Sequence, residues 1–305
     1  MTAKVLAPIT ITPAMVTACS VSEPDTSTGE TVWSAATTYA IGNTAIRATT
    51  HRVYTALAAG ADAGLPEVTP LRWKDTGPTN KYAAFDIYRS TAITQAGTLT
   101  MTVKPGVITD MAFFGLQGDS LRVVCSPAAG GVAYYDKTFS LATYLTGDLM
   151  WEFYFGTPRQ QDGLRVTGLY PQDAQVSITL TVSAITGVAA IGIWAMGSFN
   201  SLGGPQYGFK AQPVDYSRIT TDAYGTVTIA KGLAAKNLAG DCMMAATDAQ
   251  ATADVVYRLL SIPCAWVMSE DPAYDYLSAF GLGSADITAA GPSHALLTLT
   301  VRGIV

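Results

Sequence analysis

The chain has 305 residues, 13% of them charged, a formal net charge of −5 and a mean hydropathy of +0.25. This length predicts two or three domains, and the few, scattered Lys and Arg residues argue against nucleic acid as a ligand. No segment reaches the roughly 18 consecutive apolar residues that a membrane-spanning helix needs, so we expect no membrane partner.

The first quarter of the chain divides into an arm and a small aromatic module. Residues 1–30, which contain ITIT (residues 9–12), are expected to form an N-terminal arm or strand. Residues 31–75 carry spaced aromatics and few other notable groups. A segment of about 45 residues gains too little from aliphatic burial alone, whereas a few large aromatic rings make an economical core. These aromatics either form that core or present their faces to a sugar, and both alternatives remain open. They are Trp33, Tyr39, Tyr54 and Trp73.

Residues 76–205 show the two-residue alternation of half-buried strands and predict a β-sandwich domain. In TLTMTVKPG, Leu99, Met101 and Val103 alternate with polar residues before a Pro-Gly turn. QVSITLTVS, residues 175–183, alternates in the same way, with Val176, Ile178, Leu180 and Val182 on one face. The aromatic run MWEFYFG, residues 150–156, is interpreted as a core strand rather than a sugar-stacking platform, because Trp151, Phe153 and Phe155 alternate with Glu152 and Tyr154.

Residues 206–305 predict an α+β domain that follows the glycine-rich connector SFNSLGGPQYGF. The stretch TDAQATADVVYRLLSIP indicates a helix that Thr247 or Asp248 caps and Pro263 ends. Its apolar stripe is Val255, Val256, Leu259 and Leu260. CAWVM and ALLTLTVRG predict strands after it. The whole chain is therefore expected to be mainly β, with a three-stranded aromatic module, a sandwich and an α+β domain that contains one main helix.

Motifs that would indicate catalysis, a metal or a cofactor are absent from the sequence. The four cysteines lack CxxC spacing and are interpreted as free, mostly buried thiols. His51 and His294 have no carboxylate or cysteine at a local ligand spacing. No GxSxG, HExxH or phosphate-loop motif occurs. We therefore expect no catalytic residue, no metal and no cofactor.

Carboxylates among aromatic residues leave one enzymatic alternative open, a polysaccharide-cleaving enzyme. Such an enzyme needs a protonated acid and an ionised one on either side of the scissile bond. The candidates are Asp86, Glu152, Asp215 and Asp275. Turns and helix caps explain isolated acids at least as well.

The aromatic module resembles the small carbohydrate-binding modules of the chitin-binding type. The residues that carry this resemblance are Trp33, Tyr39 with Gly42, the strand HRVYTAL with Tyr54, Pro66 with Pro70, and Trp73. In that family these aromatics partly build a three-stranded core and partly face sugar rings. The resemblance therefore implies candidate glycan-binding residues at Trp33, Tyr39, Tyr54 and Trp73.

A second resemblance rests on longer stretches, which are WKDTGPTNKYAAFD (73–86), MTVKPGVITDMAFFGLQGDSLRVV (101–124), QYGFKAQPVDYSRITTDAYGTVTIAKG (206–232), CAWVM and LTLTVRGIV. In that order they resemble a family of structural proteins from tailed bacteriophages and prophages. The resemblance implies a non-enzymatic tail or baseplate component of a virion, present in multiple copies and assembled in the bacterial host cytoplasm. Its partners would be other tail or baseplate proteins, with copies of itself as a homo-oligomer or a ring partner, and weak contact with host surface polysaccharide. The alternative is a stand-alone carbohydrate-binding adhesion protein.

Overall fold

The computed structural model describes residues 2–61, 64–127, 132–143, 159–169 and 177–305. They are mainly β, with several sheets and one main helix near the C-terminus, which confirms the predicted fold class. That helix is α1, Ala249–Leu259. Short 3-10 helices cover Pro13–Met15, Thr26–Thr28, Pro66–Val68, Asn80–Phe85 and Pro272–Leu277. The strands in chain order are β1 Ala3–Leu6, β2 Val16–Cys19, β3 Thr38–Tyr39, β4 Thr44–Arg47, β5 Arg52–Ala56, β6 Gly60–Ala61, β7 Trp73–Pro78, β8 Ile93–Val103, β9 Asp110–Phe114, β10 Ser120–Ser126, β11 Tyr135–Ser140, β12 Ala142–Thr143, β13 Arg159–Gln160, β14 Gly163–Val166, β15 Ser177–Ile191, β16 Ile193–Gly197, β17 Phe199–Pro205, β18 Lys210–Asp215, β19 Arg218–Thr221, β20 Val227–Ala230, β21 Ala234–Ala245, β22 Cys264–Val267, β23 Ser278–Ala289 and β24 His294–Gly303.

The central region contains a five-stranded antiparallel sheet in the order β11-β10-β15-β8-β2. Its register places Met101 opposite Leu180 and Val103 opposite Ile178, and all four side chains are buried. Alternation at period two thus predicts the buried face of both strands correctly. Val176, at the start of the predicted strand, lies outside the described residues, as does the whole aromatic run 150–156 with Glu152.

A three-stranded sheet, β14-β9-β16, lies between this sheet and a larger one. Successive residues of a strand point to opposite faces, so Phe113 and Trp194 pack in the core of the five-stranded sheet. Phe114 and Ile193 pack on the other side, in a separate cluster with Phe280. Because both faces are covered, every residue of β16 is buried.

The third layer is a seven-stranded sheet in the order β17-β1-β22-β23-β24-β21-β18. Helix α1 packs against it through the buried side chains of Val256 and Leu259. The predicted stripe also included Leu260, which is 46% exposed because the helix ends at Leu259 and the backbone turns to extended geometry. Asp248 precedes the helix without a side-chain capping bond.

The small module consists of the sheet β4-β5-β7 and the short pair β3-β6. The N-terminal arm joins the larger layers, since β1 pairs with β17 and β22 while β2 pairs with β8. Strands from three of the predicted segments (1–30, 76–205 and 206–305) therefore share the seven-stranded sheet. The proposed domain boundaries stay a prediction.

Candidate functional site

Three of the four predicted sugar-facing aromatics lie inside the small module. Tyr39, Tyr54 and Trp73 are 6%, 5% and 2% exposed and form one cluster with Ala45 and Ala56. The Tyr39 and Trp73 rings meet edge to face, with centroids 4.9 Å apart. The Tyr39 hydroxyl also accepts a hydrogen bond from the backbone N–H of Ser34 at 2.8 Å. In this structure these three rings offer no open face to a ligand, and their burial matches the core alternative.

Trp33 is the predicted aromatic that keeps partial exposure. It packs on the edge of the module core. The Arg47 guanidinium lies over its ring, 5.2 Å from the centroid. Arg47 in turn donates two hydrogen bonds to the Glu67 carboxylate, at 3.1 and 3.2 Å. The surface of the module thus combines a half-buried indole ring with a fixed donor and a fixed acceptor.

The described carboxylates of the enzymatic alternative are each held by separate partners. Burial raises the pKa of Asp86, although hydrogen bonds from Thr91 and from the Tyr88 N–H oppose the shift. Asp215 accepts from the hydroxyl and N–H of Ser217. Asp275 pairs with Arg165. Among the residues that the structure describes, no hydrogen bond or ion pair joins any two of these acids. The absence of an enzymatic activity stays a prediction.

The cysteines are free thiols, as predicted. Burial raises the pKa of Cys125, Cys242 and Cys264 to about 12. Because the thiolate is the reactive form, these three groups are inert at neutral pH. Within the described ranges, no group of three or more His, Cys, Asp or Glu side chains is placed to hold a metal ion. None of the helices in the same ranges is long and apolar enough to cross a membrane.

The sequence did not predict the polar network that lies where the N-terminal arm, the small module and the five-stranded sheet meet. Asp25 accepts hydrogen bonds from Ser27 and from the Asn80 amide, and Asn80 exchanges further bonds with Thr94. Nearby, Glu23 binds the His51 ring at 2.8 Å. The ligand-spacing criterion missed this histidine contact because Glu23 lies 28 residues away in sequence. The Asp25–Asn80 and Glu23–His51 contacts join different parts of the fold, so we interpret the network as structural.

A β-hairpin, residues 216–233, extends from the seven-stranded sheet, and we call it the hairpin arm. Its strands β19 and β20 continue outward from the edge pair β18-β21 of the seven-stranded sheet, and every residue of both strands is exposed. Ile219 and Ile229 are direct cross-strand partners and are 66% and 64% exposed. The alternation of side chains places Thr220 and Thr228, also partners, on the opposite face.

Hydrogen bonds at the tip of the hairpin arm fix its loop. The Asp222 carboxylate accepts from the N–H groups of Thr226 and Tyr224 at 2.8 and 2.9 Å. These bonds, chiefly the one from the Thr226 N–H, hold the pKa of Asp222 below its ordinary value. Tyr224, at the tip, is 94% exposed.

The small module has an uncovered apolar surface of its own, which we call the module patch. Ile41, Leu57 and Leu71 are 70%, 47% and 95% exposed. They lie on neighbouring chain segments, because the Gly42 N–H bonds to the Ala56 carbonyl and the Leu57 N–H bonds to the Arg72 carbonyl. A contiguous exposed apolar patch, in contrast to single scattered apolar residues, is a feature of contact sites.

Comparison with known proteins yields little. No protein-family model matches the chain, and no curated protein matches it. Among solved structures, the chain is similar to a chitosan-binding module derived from a chitosanase/glucanase of Paenibacillus sp. IK-5. The two are 10% identical with a TM-score of 0.26, and the match covers 38% of this chain and 81% of that one. A likeness at this TM-score carries no inference about fold or ligand.

Proposed function

We propose that this protein is a multi-copy structural subunit, a tail or baseplate component of a tailed-phage virion, that assembles with neighbouring subunits through the hairpin arm. The observation that carries the proposal is the complete exposure of an ordered hairpin whose one face bears the Ile219–Ile229 pair. The resemblance of the longer sequence stretches to phage structural proteins supplies the virion context.

The physical argument starts from the stability of isolated hairpins. Two strands without a covering layer are at best marginally stable in water. Exposed apolar side chains add a cost that burial against a partner removes, at about 25 cal/mol per Å² of apolar surface. The hairpin arm and the module patch both lack a cover within the described chain. A neighbouring subunit covers such surfaces, and a repeated contact between identical subunits generates rings or filaments.

The virion assignment has a direct test. Tailed particles purified from a host that carries the gene should contain this polypeptide, detectable by mass spectrometry in multiple copies per particle. If purified particles lack the chain, the virion role is wrong, whatever the purified protein does in solution.

Ile219→Lys is expected to weaken self-association roughly tenfold or more, because about 1.5 kcal/mol of apolar burial is lost. Sedimentation velocity of the full chain over a concentration series measures the effect. Thr220→Lys is the matched control, since it adds the same charge to the opposite face of the same strand. An equal effect of both variants, or a wild-type chain that is monomeric at all concentrations, would contradict assembly through this face.

Weak glycan contact is the second candidate function, and it rests on the partly exposed Trp33 with the Arg47–Glu67 pair beside it. An aromatic ring next to a fixed donor and acceptor suits a sugar ring and its hydroxyls. Trp33→Ala is expected to abolish retention on an immobilised chitin or peptidoglycan column, whereas Trp33→Phe keeps part of it. Affinity of one such module is modest, so retention depends on several copies acting together.

The control for this experiment is the fold of the module. Circular dichroism and thermal unfolding must show that each variant keeps the buried cluster around Trp73. A folded Trp33→Ala protein that is retained as strongly as wild type would rule out Trp33 as the contact.

A further inference from the structure

A cleft of about 640 Å³ opens between the middle sheet and the seven-stranded sheet, far in sequence from the aromatic module. One wall comes from Arg89 and residues 160–165, and the other from residues 234–236 and 275–280. Its volume lies within the range of ordinary small-ligand sites. Neither the hairpin arm nor Trp33 lines this cleft.

The walls of the cleft carry two arginine–carboxylate pairs. Arg89 pairs with Asp162. Arg165 pairs with Asp275 and also donates to the Ser269 carbonyl. The Asp162 and Asp275 side chains are 64% and 40% exposed, so their remaining acceptor positions face open space. In each arginine–carboxylate pair the two side chains fix each other's position, so the cleft presents hydrogen-bond donors and acceptors in a fixed arrangement.

The floor and mouth of the cleft are aromatic. Phe114 and Phe280 line it and pack against each other, with ring centroids 5.9 Å apart. Tyr276 lines the opening and is 52% exposed, with its ring centroid 6.2 Å from that of Tyr274. The packed phenylalanine rings and the half-exposed Tyr276 ring give the cleft apolar surface beside its polar walls.

The charge balance of the cleft selects among ligand classes. Two of the three lining cations are matched by their own carboxylates, and the third, Lys236, donates to the Ser278 carbonyl at 3.1 Å. An anionic ligand that bound either arginine would have to displace a carboxylate and so would gain little there. A hydroxyl group donates and accepts at once, and it can therefore join an arginine–carboxylate pair without breaking it.

We propose that this cleft binds a neutral oligosaccharide. One sugar ring stacks on Tyr276, and hydroxyl groups bind the Arg89–Asp162 and Arg165–Asp275 pairs. The ligand class follows from three features together, which are the pairing of both arginines with carboxylates, the fixed donors and acceptors that these pairs present, and the exposed Tyr276 ring. The proposal is independent of the assembly role, and a subunit that fails to self-associate can still bind sugar here.

Isothermal titration of the full-length protein tests the cleft, with tri- to hexasaccharides of glucose, mannose and N-acetylglucosamine as neutral probes and oligogalacturonate as the anionic probe. At least one neutral series should bind, with little dependence on salt. Tyr276→Ala and Asp162→Ala should each weaken binding about tenfold or more. Tyr257→Ala, which removes a tyrosine of α1 that is 72% exposed and lies outside the cleft, should change nothing.

The same experiment separates this cleft from the aromatic module. The titrations are repeated in a Trp33→Ala background, which removes the module's proposed sugar contact, and the binding that remains there should be lost when Tyr276→Ala is added. Loss of binding in Trp33→Ala but not in Tyr276→Ala would place the sugar on the module and overturn the cleft. The proposal is also overturned if no neutral probe binds at a concentration of about 10 mM. Binding of the anionic probe alone, with a steep dependence on salt, would overturn it as well.

Discussion

Trp73→Ala is expected to unfold the small module while the two larger cores stay folded. Trp73 is 2% exposed and sits at the centre of the cluster with Tyr39 and Tyr54. Truncation of a buried tryptophan to alanine costs about 3–5 kcal/mol. A module of this size has little stability in reserve, so a loss of that magnitude exceeds what the remaining aromatic contacts supply.

Native-state hydrogen exchange measures this effect locally. Amides of β4, β5 and β7 should lose protection in Trp73→Ala, while amides of β15 and β24 keep theirs. Leu71→Ala is the matched control, because Leu71 lies two residues away and is 95% exposed. Its protection pattern should equal that of wild type. Uniform loss of protection across all strands of the Trp73 variant would show instead that the module and the larger layers unfold as one unit.

Trp73→Phe separates ring burial from the polar edge of the indole. The Trp73 Nε1 atom is buried and has no hydrogen-bond partner. Phenylalanine keeps most of the apolar contact and removes this unsatisfied donor, so its cost should be clearly smaller than that of alanine.

The faces of the long strands and the main helix could be predicted from the sequence because their signals are local. Leu297, Leu299 and Val301 in β24 are all fully buried, as their alternation predicts. Helix α1 likewise begins and ends within the predicted stretch. Side-chain periodicity depends only on neighbours along the chain, so no knowledge of the partner strand is needed.

Strand partners and layers could not be predicted, because they depend on contacts between distant segments. Nothing in AKVL indicates that β1 joins β17 and β22. The middle sheet was also missed, since IWAMG in β16 is apolar throughout and lacks alternation. A strand covered on both faces reads as a continuous apolar run, which period two does not identify.

The candidate sites follow the same division. The sequence identified the aromatic cluster, yet spacing alone could not tell that Tyr39, Tyr54 and Trp73 are buried and Trp33 partly exposed. The hairpin arm carries the same alternating Ile and Thr pattern as a core strand. The hairpin arm is exposed because it extends beyond the ends of β18 and β21, and residues such as Ile219 give no local sign of this.

Asp25→Ala is expected to lower the free energy of unfolding by about 3–4 kcal/mol, because it removes an ionised acceptor from a buried network. Asp25 is 7% exposed. It accepts from the Ser27 N–H at 2.9 Å, the Ser27 hydroxyl at 2.7 Å and the Asn80 amide at 2.6 Å. Without the carboxylate these donors remain in place with no acceptor, and the cost of leaving them unpaired adds to the lost bonds.

The pH dependence of stability gives a second readout for Asp25. Burial by itself raises the pKa of this carboxyl, but hydrogen bonds from Ser27 and Asn80 outweigh it and hold the pKa below its ordinary value. A carboxyl group whose pKa is lowered in the folded state stabilises the fold at pH values above its unfolded pKa, which is about 3.9 for an aspartate. That contribution is lost as pH falls through the folded pKa. Wild type should therefore lose more stability in acid than Asp25→Ala does.

Chemical denaturation at pH 7 and at pH 3 tests both statements with two further variants. Asp25→Asn keeps the shape but turns one acceptor into a donor that faces the Asn80 amide, so it should be nearly as damaging as alanine. Asp136→Ala removes a carboxylate from the exposed pair with Arg122 and should leave the unfolding midpoint at pH 7 unchanged. If Asp25→Ala and Asp136→Ala unfold at the same denaturant concentration, the junction network does not stabilise the fold. Apolar contacts must then hold together the N-terminal arm, the small module and the five-stranded sheet. Val21 and Ala83, which lie in the shared core, are the next residues to change.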